Sequence, residues 1–259
     1  MSLIKSPEEI KKLKQGGVIL SRALRAAMDA CVVGASTEDI DRTARQVLEK
    51  AGAKPSFLGY RISPEDPAYP GTVCISINEE VVHGLPTPPR KIKDGDVVSL
   101  DIGAWYQGLC TDMAATVTVG KVPARVRALV ADTRKSLELA LAAVKPGGYI
   151  SDIGSVIEDF LKPKGYGIVR DLVGHGVGHA VHEEPQIPNY REPRAPRVRL
   201  EPGMVLAIEP MVTLGDCWVK QLDDGWTIVT CDGSLAAHWE VTVAVTEKGY
   251  ELLTPWPYG

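Results

Sequence analysis

No stretch of this sequence is long and apolar enough to span a membrane, and no uninterrupted apolar run follows the charged opening MSLIKSPEEIKKLKQGG. Neither a membrane anchor nor a secretory signal is therefore expected. Cysteine is sparse and unpatterned: Cys31, Cys74, Cys110, Cys217 and Cys231 form no CxxC and no dense framework. That argues against a disulfide scaffold and a structural cysteine–zinc site, and it suits free thiols in the reducing cytoplasm. A basic excess is missing too. With a formal net charge of −4, the chain offers no global field for nucleic acid or an anionic membrane. Its one arginine-rich run, YREPRAPRVRL with Arg191, Arg194, Arg197 and Arg199, is interleaved with proline and reads as an extended, solvated loop. Signatures of common chemistries fail as well. There is no GxxxxGK[ST] phosphate loop and no GxSxG elbow, and HEEP lacks the second histidine of HExxH.

What remains is an ordinary globular composition, 44% hydrophobic and 24% charged over 259 residues, enough for one large or two modest domains. Ser6-Pro7-Glu8-Glu9 has a capping serine, a first-turn proline and acids, and predicts a helix running to about Val32. Ser36-Thr37-Glu38-Asp39 predicts a second helix, stopped at Gly52. Strand-like runs follow: TVCISIN, DGDVVSLDIGAWY and LCTDMAATVTVG. Two helical runs, VRALVADTRKSLELALAAV and SDIGSVIEDFLKPKG, come next, and the strands VLAIEPMV, WTIVT and HWEVTVAVT close the chain. The order helix-helix-strands thus occurs twice. GDVVSLD (95–101) also aligns with GMVLAIE (203–209) at a constant offset of 108 residues. This predicts one α+β domain over 1–259, built from pseudo-symmetric halves of roughly 6–122 and 123–254, with an antiparallel sheet inside and helices outside.

Four acids stand in or at the ends of Val- and Ile-rich strands: Asp101, Asp112, Glu209 and Glu240. In DIGAWYQGLCTD, a turn at Tyr106-Gln107 sets Asp101 directly opposite Asp112, where like charges destabilise a strand pair. A buried carboxylate needs a partner. None of the four has a basic neighbour in sequence, and a shared multivalent cation would cancel their repulsion. Three of the five histidines, His175, His179 and His182, cluster in VGHGVGHAVHEEP. There the glycines at 174, 176 and 178 allow a close backbone approach, which favours His175 as a ligand. One histidine with four carboxylates is hard, oxygen-rich ligation, suited to manganese, ferrous iron or cobalt. Bridging acids suggest two ions roughly 3.5–4 Å apart.

The set SINEEVVHG, SLDIG, CTDMAATV, GHGVGHAVHEEP, AIEPMV and HWEVTVAVT resembles the type I methionine aminopeptidases of the pita-bread metallopeptidases, from about Ser6 to Thr254. The resemblance implies a pita-bread fold and two divalent ions (Co, Mn, Fe or Zn) on Asp101, Asp112, His175, Glu209 and Glu240. It also implies hydrolysis of the first peptide bond by a metal-bridging water, which removes the initiator methionine from nascent chains. By the same resemblance Glu209 relays a proton, His182 meets the scissile carbonyl and His83 stands near the scissile nitrogen. The methionine pocket would be lined by Phe57, Tyr60, Tyr69, Cys74, Val181 and Trp226, together with those two histidines. Methionyl peptides, a transient ribosome contact, a monomeric state and a cytoplasmic location complete the expectation. Several positions depart from the family. RISPEDPA (61–68) is an insertion relative to shorter members, Val181 replaces a common aromatic, and His179 stands where arginine or a small residue is frequent. His238-Trp239 precedes Glu240 in place of glutamine and tyrosine. Two other readings compete: a prolidase-like enzyme, which shares fold and ligands but carries a large N-terminal domain, and a non-enzymatic binding module, which tends to lose ligands.

Overall fold

A computed structural model describes residues 3–194 and 197–258; Ala195 and Pro196 of the arginine-rich run lie outside the described residues. Helix α1 (Pro7–Ala30) starts where the capping signals place it. Ser6 Oγ accepts from the Glu9 N–H at 3.3 Å, and the Glu9 carboxylate accepts from the Ser6 N–H at 2.7 Å. The helix ends two residues earlier than expected, because Cys31 leaves helical geometry at ψ 76°. Helix α2 (Thr37–Lys50) packs on α1, and Leu20, Leu24, Ile40 and Leu48 are fully buried from water. Helices α3 (Ala124–Leu141) and α4 (Ile150–Leu161) repeat this pairing in the second half. Both pairs lie outside a strand layer whose core is mainly Val, Ile and Leu. The fold is α+β, of the pita-bread type.

In the first half, strand Val97–Tyr106 pairs antiparallel with Val73–Ile77 on one side and Leu109–Thr118 on the other. The turn that joins the two long strands is Gln107-Gly108, with φ of 50° and 81°. Two successive positive φ values define the hairpin turn whose twist matches the strands, and glycine takes the second position without strain. This moves the turn one residue along from the expected Tyr106-Gln107. Asp101 therefore faces Ala114, and Asp112 faces Gly103. The two acids are diagonal neighbours on one face rather than a directly opposed pair. Asp112 lies inside its strand, three residues from its start.

In the second half the strand order is Gly249–Leu252, Val241–Thr246, Val205–Ile208, Gly174–Gly176, Glu183–Ile187. Neither VLAIEPMV nor HWEVTVAVT is one continuous strand. The first breaks at Glu209-Pro210 and the second at Trp239-Glu240, because proline has no N–H to continue the ladder. Register survives the break. Ile208 pairs with Val241 before it and Met211 with His238 beyond it, which leaves Glu209 across from Glu240. WTIVT likewise contributes only Ile228–Thr230 as strand, with Trp226 ahead of it.

The halves are stitched edge to edge at these acids. Ala114 N–H donates to the Glu240 carbonyl at 3.2 Å, and Glu240 N–H returns a bond at 3.0 Å. Two threonine hydroxyls extend the seam. Thr242 Oγ1 accepts from the Asp112 N–H (3.0 Å) and donates to the Asp112 carbonyl (2.7 Å). Thr116 Oγ1 does the same for the backbone of His238, at 2.9 and 2.7 Å. The arginine run is not simply solvated. Arg191 makes a two-pronged pair with Asp159 at 2.6 and 2.5 Å, and Arg197 lies 4.0 Å over the Tyr149 ring.

Candidate metal centre and catalytic cavity

The five expected ligands come from five adjacent chain segments. Asp101 and Asp112 project from one face of the long hairpin. Glu240 and Glu209 stand at the strand breaks, and His175 pairs with Ala207 on the next strand. Close packing brings His175 in. A Cβ on Gly174 would fall 2.5 Å from the Ala207 carbonyl oxygen, and one on Gly176 2.2 Å from that of Glu184. Only glycine permits that approach. One oxygen or nitrogen each from Asp112, His175 and Glu240 lies within 4.8 Å of the others. Glu209 adds an oxygen 3.5 Å from His175 Nε2, and Asp101 neighbours Asp112 across the hairpin.

The electrostatics of this group call for cations. All four carboxylates are buried, and Asp101 Oδ1, Asp112 Oδ1 and Glu240 Oε1 have no hydrogen-bond partner. Among the described residues, no lysine or arginine pairs with any of the four. Burial, then mutual repulsion, pushes Asp101 and Glu240 well above the usual carboxylate range. Burial followed by the Glu209 charge raises Asp112 to about 7, and burial raises Glu209 to about 8. Buried oxygens without donors, beside a neutral imidazole, are a donor set that fits divalent ions. Burial first, with His182 second, holds His175 down to about 3, so at neutral pH its Nε2 lone pair is available while Nδ1 bonds the Gly176 carbonyl (2.8 Å).

Beside the carboxylates opens a cavity of about 700 Å³, lined by Phe57, Tyr60, Tyr69, Cys74, Trp226, His83 and His182 as well as all five expected ligands. The aromatic wall is knit edge to face: Tyr69 meets Trp226 at 5.3 Å and Phe57 at 6.4 Å between ring centroids. Trp226 Nε1 donates to the Pro67 carbonyl at 3.0 Å, so the 61–68 loop buttresses the pocket. Both tyrosines that bracket this loop reach the cavity. Val181 does not: it is buried in the apolar cluster behind the wall, with Leu13, Val177 and Val205.

His182 would face away from His175 on a straight strand, but the chain reverses between them. Glu183 organises that bend by accepting from the N–H groups of His179 and Ala180, and from the buried Lys5 ammonium at 2.5 Å. The His175 and His182 rings then meet at 4.5 Å, edge to face. His83 reaches the cavity from a left-handed backbone position, φ 60°, and burial, then His182 and His238, holds it down to about 4. His179 lies apart, bonded through Nε2 to Glu9 Oε1 at 2.7 Å. One residue of the centre escaped the sequence reading. His238, almost fully buried, places Nε2 3.3 Å from Glu209 Oε2. Its place two residues before the expected ligand Glu240 was the available signal.

The sequence matches metallopeptidase family M24 over residues 11–247. The chain belongs to this family. Methionine aminopeptidase 1 of Bacillus subtilis is 42% identical over 255 residues, which cover 98% of this M24 chain and 99% of that protein. The crystal structure of methionine aminopeptidase from Thermotoga maritima matches with TM-score 0.91 and 45% identity, covering 97% of this chain and 98% of that one. A prolidase from Pyrococcus furiosus shares the fold at TM-score 0.77 and 26% identity, but this M24 chain covers only 65% of its length.

Proposed function

We propose that this metallopeptidase removes the N-terminal methionine from polypeptides by hydrolysing their first peptide bond. The observation that carries the reading is a junction. A cavity walled by Phe57, Tyr60, Tyr69 and Trp226 opens directly onto the Asp101, Asp112, His175, Glu209 and Glu240 cluster. An aromatic wall suits an unbranched, polarisable thioether. Asp101, Asp112, His175, Glu209 and Glu240 would hold the divalent ions, two in this reading, which would lower the pKa of a water toward neutrality and polarise the carbonyl to be attacked. The remaining work falls to the chain. Glu209, with an oxygen turned to His175 and another to His238, is placed to carry a proton between the attacking water and the departing amine. His182 offers an N–H to the carbonyl oxygen as charge builds on it. His83, neutral and beside Trp226 at 6.2 Å, hydrogen-bonds the peptide nitrogen.

In this reading the enzyme is a cytoplasmic monomer acting on nascent chains, with Arg194 of the 191–199 loop free to touch the ribosome. Size-exclusion chromatography and cosedimentation with ribosomes check both points. The deciding experiment titrates metal-stripped protein with Mn, Co, Fe or Zn while assaying Met-Ala-Ser against an Xaa-Pro peptide. Metal-dependent release of methionine is expected. Cleavage of the Xaa-Pro peptide alone would assign the site to a prolidase-like activity instead.

A further inference from the structure

Tyr60 has a second contact besides the pocket it lines. Its hydroxyl lies 2.9 Å from His182 Nδ1, with the ring centroids 5.6 Å apart. Two separately anchored segments create this contact. Tyr60 is clamped where the 61–68 loop leaves the fold: its N–H donates to the Phe57 carbonyl and its carbonyl accepts from the Tyr69 N–H, both at 2.8 Å. His182 is held by the bend that Glu183 closes. The pair shares one proton position. Either the phenol donates to Nδ1, which puts the imidazole proton on Nε2, or Nδ1–H donates to the phenolic oxygen, which leaves Nε2 bare. Phenol is the stronger acid and the imidazole lone pair the stronger base, so the first arrangement is the stronger bond.

We propose that Tyr60 is a positioning residue for His182: its hydroxyl donates to Nδ1 and selects the tautomer whose Nε2–H faces the carbonyl oxygen of the scissile bond. This rests on the methionine-removal reading for the role of His182, but not for the tautomer itself. Tyr60→Phe tests it, since the substitution keeps the ring in the pocket wall and removes one oxygen. Three results are expected for Tyr60→Phe: kcat on Met-Ala-Ser falls about tenfold or more, KM stays within about twofold, and calorimetric manganese affinity is unchanged. Nitrogen-15 NMR of the zinc-loaded wild-type enzyme should show His182 protonated at Nε2 alone, and Tyr60→Phe should show a mixture of tautomers. A wild-type Nδ1–H signal overturns the proposal, as does an unchanged kcat in Tyr60→Phe. Should the wild type cleave no methionyl peptide, the reading of function fails while the NMR spectrum still decides the tautomer. A purely structural tyrosine would lower thermal stability or raise KM and leave the His182 nitrogen signals where they were.

Discussion

Asp112 is the side chain on which the centre turns. It belongs to the tight group with His175 and Glu240, it neighbours Asp101, and its backbone is tied to Thr242. Asp112→Asn keeps the shape and the backbone bonds and removes the charge that a divalent ion needs. Metal affinity and kcat should each fall on the order of 100-fold or more, while the far-ultraviolet circular dichroism stays that of the wild type. Isothermal titration with manganese and a methionyl peptide assay measure the two losses, and full retention of both would remove Asp112 from the ligand set. His238 carries a different kind of information. Burial holds it down to about 3, so at neutral pH it meets Glu209 as an uncharged imidazole. Its contact with Glu209 is signalled in the sequence only by its place two residues before Glu240, since nothing else local marks it as more than a core histidine.

Among elements, the seam between the halves matters more than either sheet alone. Neighbouring strands there present few backbone pairs, and hydroxyls from Thr116 and Thr242 complete what the Ala114–Glu240 bridge begins. Thr242→Val removes two hydrogen bonds at nearly constant volume and leaves the buried Asp112 N–H and carbonyl without partners. Unsatisfied buried groups cost about 1–3 kcal/mol each, so a destabilisation of about 2 kcal/mol or more is expected. Manganese affinity should weaken as well, because the displaced backbone carries Asp112, a proposed ligand. Urea unfolding and metal titration of Thr242→Val check this together; a stable variant with intact affinity would show that the seam does not position Asp112. The hairpin makes a related point. Gln-Gly was a readable turn signal, and placing it correctly converts a face-to-face pair of aspartates into a diagonal one. The slip shifts the pairing by two residues, so both side chains keep the same face and the centre survives the misplacement.

At the scale of the whole molecule, the buried acids make stability depend on pH and metal together. In the unfolded chain these carboxyls ionise near pH 4, whereas in the fold Asp112 is raised to about 7 and Glu209 to about 8. The metal-free fold therefore binds more protons than the unfolded chain across that interval. The stability from these groups is full below about pH 4 and is lost as pH rises through the raised values. Divalent ions replace the protons, so their stabilising effect grows over the same window, reaching about 2.7 kcal/mol at a hundredfold excess over Kd. Thermal melts of chelator-treated protein should show a midpoint that falls between pH 5.5 and pH 8. The rise on adding manganese should be larger at pH 8. A metal-induced rise that shrinks with pH would contradict the protonated, mutually repelling state of the cluster.

By itself the sequence determined the chemistry of the centre. Strand-borne acids without basic neighbours in sequence and a histidine among glycines point to a cation site, and among the described residues no lysine or arginine pairs with those acids. It also determined the start of the first helix, through the Ser6–Glu9 cap, which acts within four residues. Tertiary structure decided what depends on distant segments meeting. It carried the break that Pro210 makes in one strand across to Trp239-Glu240 in its partner, it kept Val181 behind the pocket wall, and it set His238 against Glu209. It also brought the Tyr60 hydroxyl to His182 across 122 residues of chain. The physical reason is one of range. Capping and turn preferences are local energies, whereas the hydrogen bond that sets a histidine's tautomer exists only once the fold has closed.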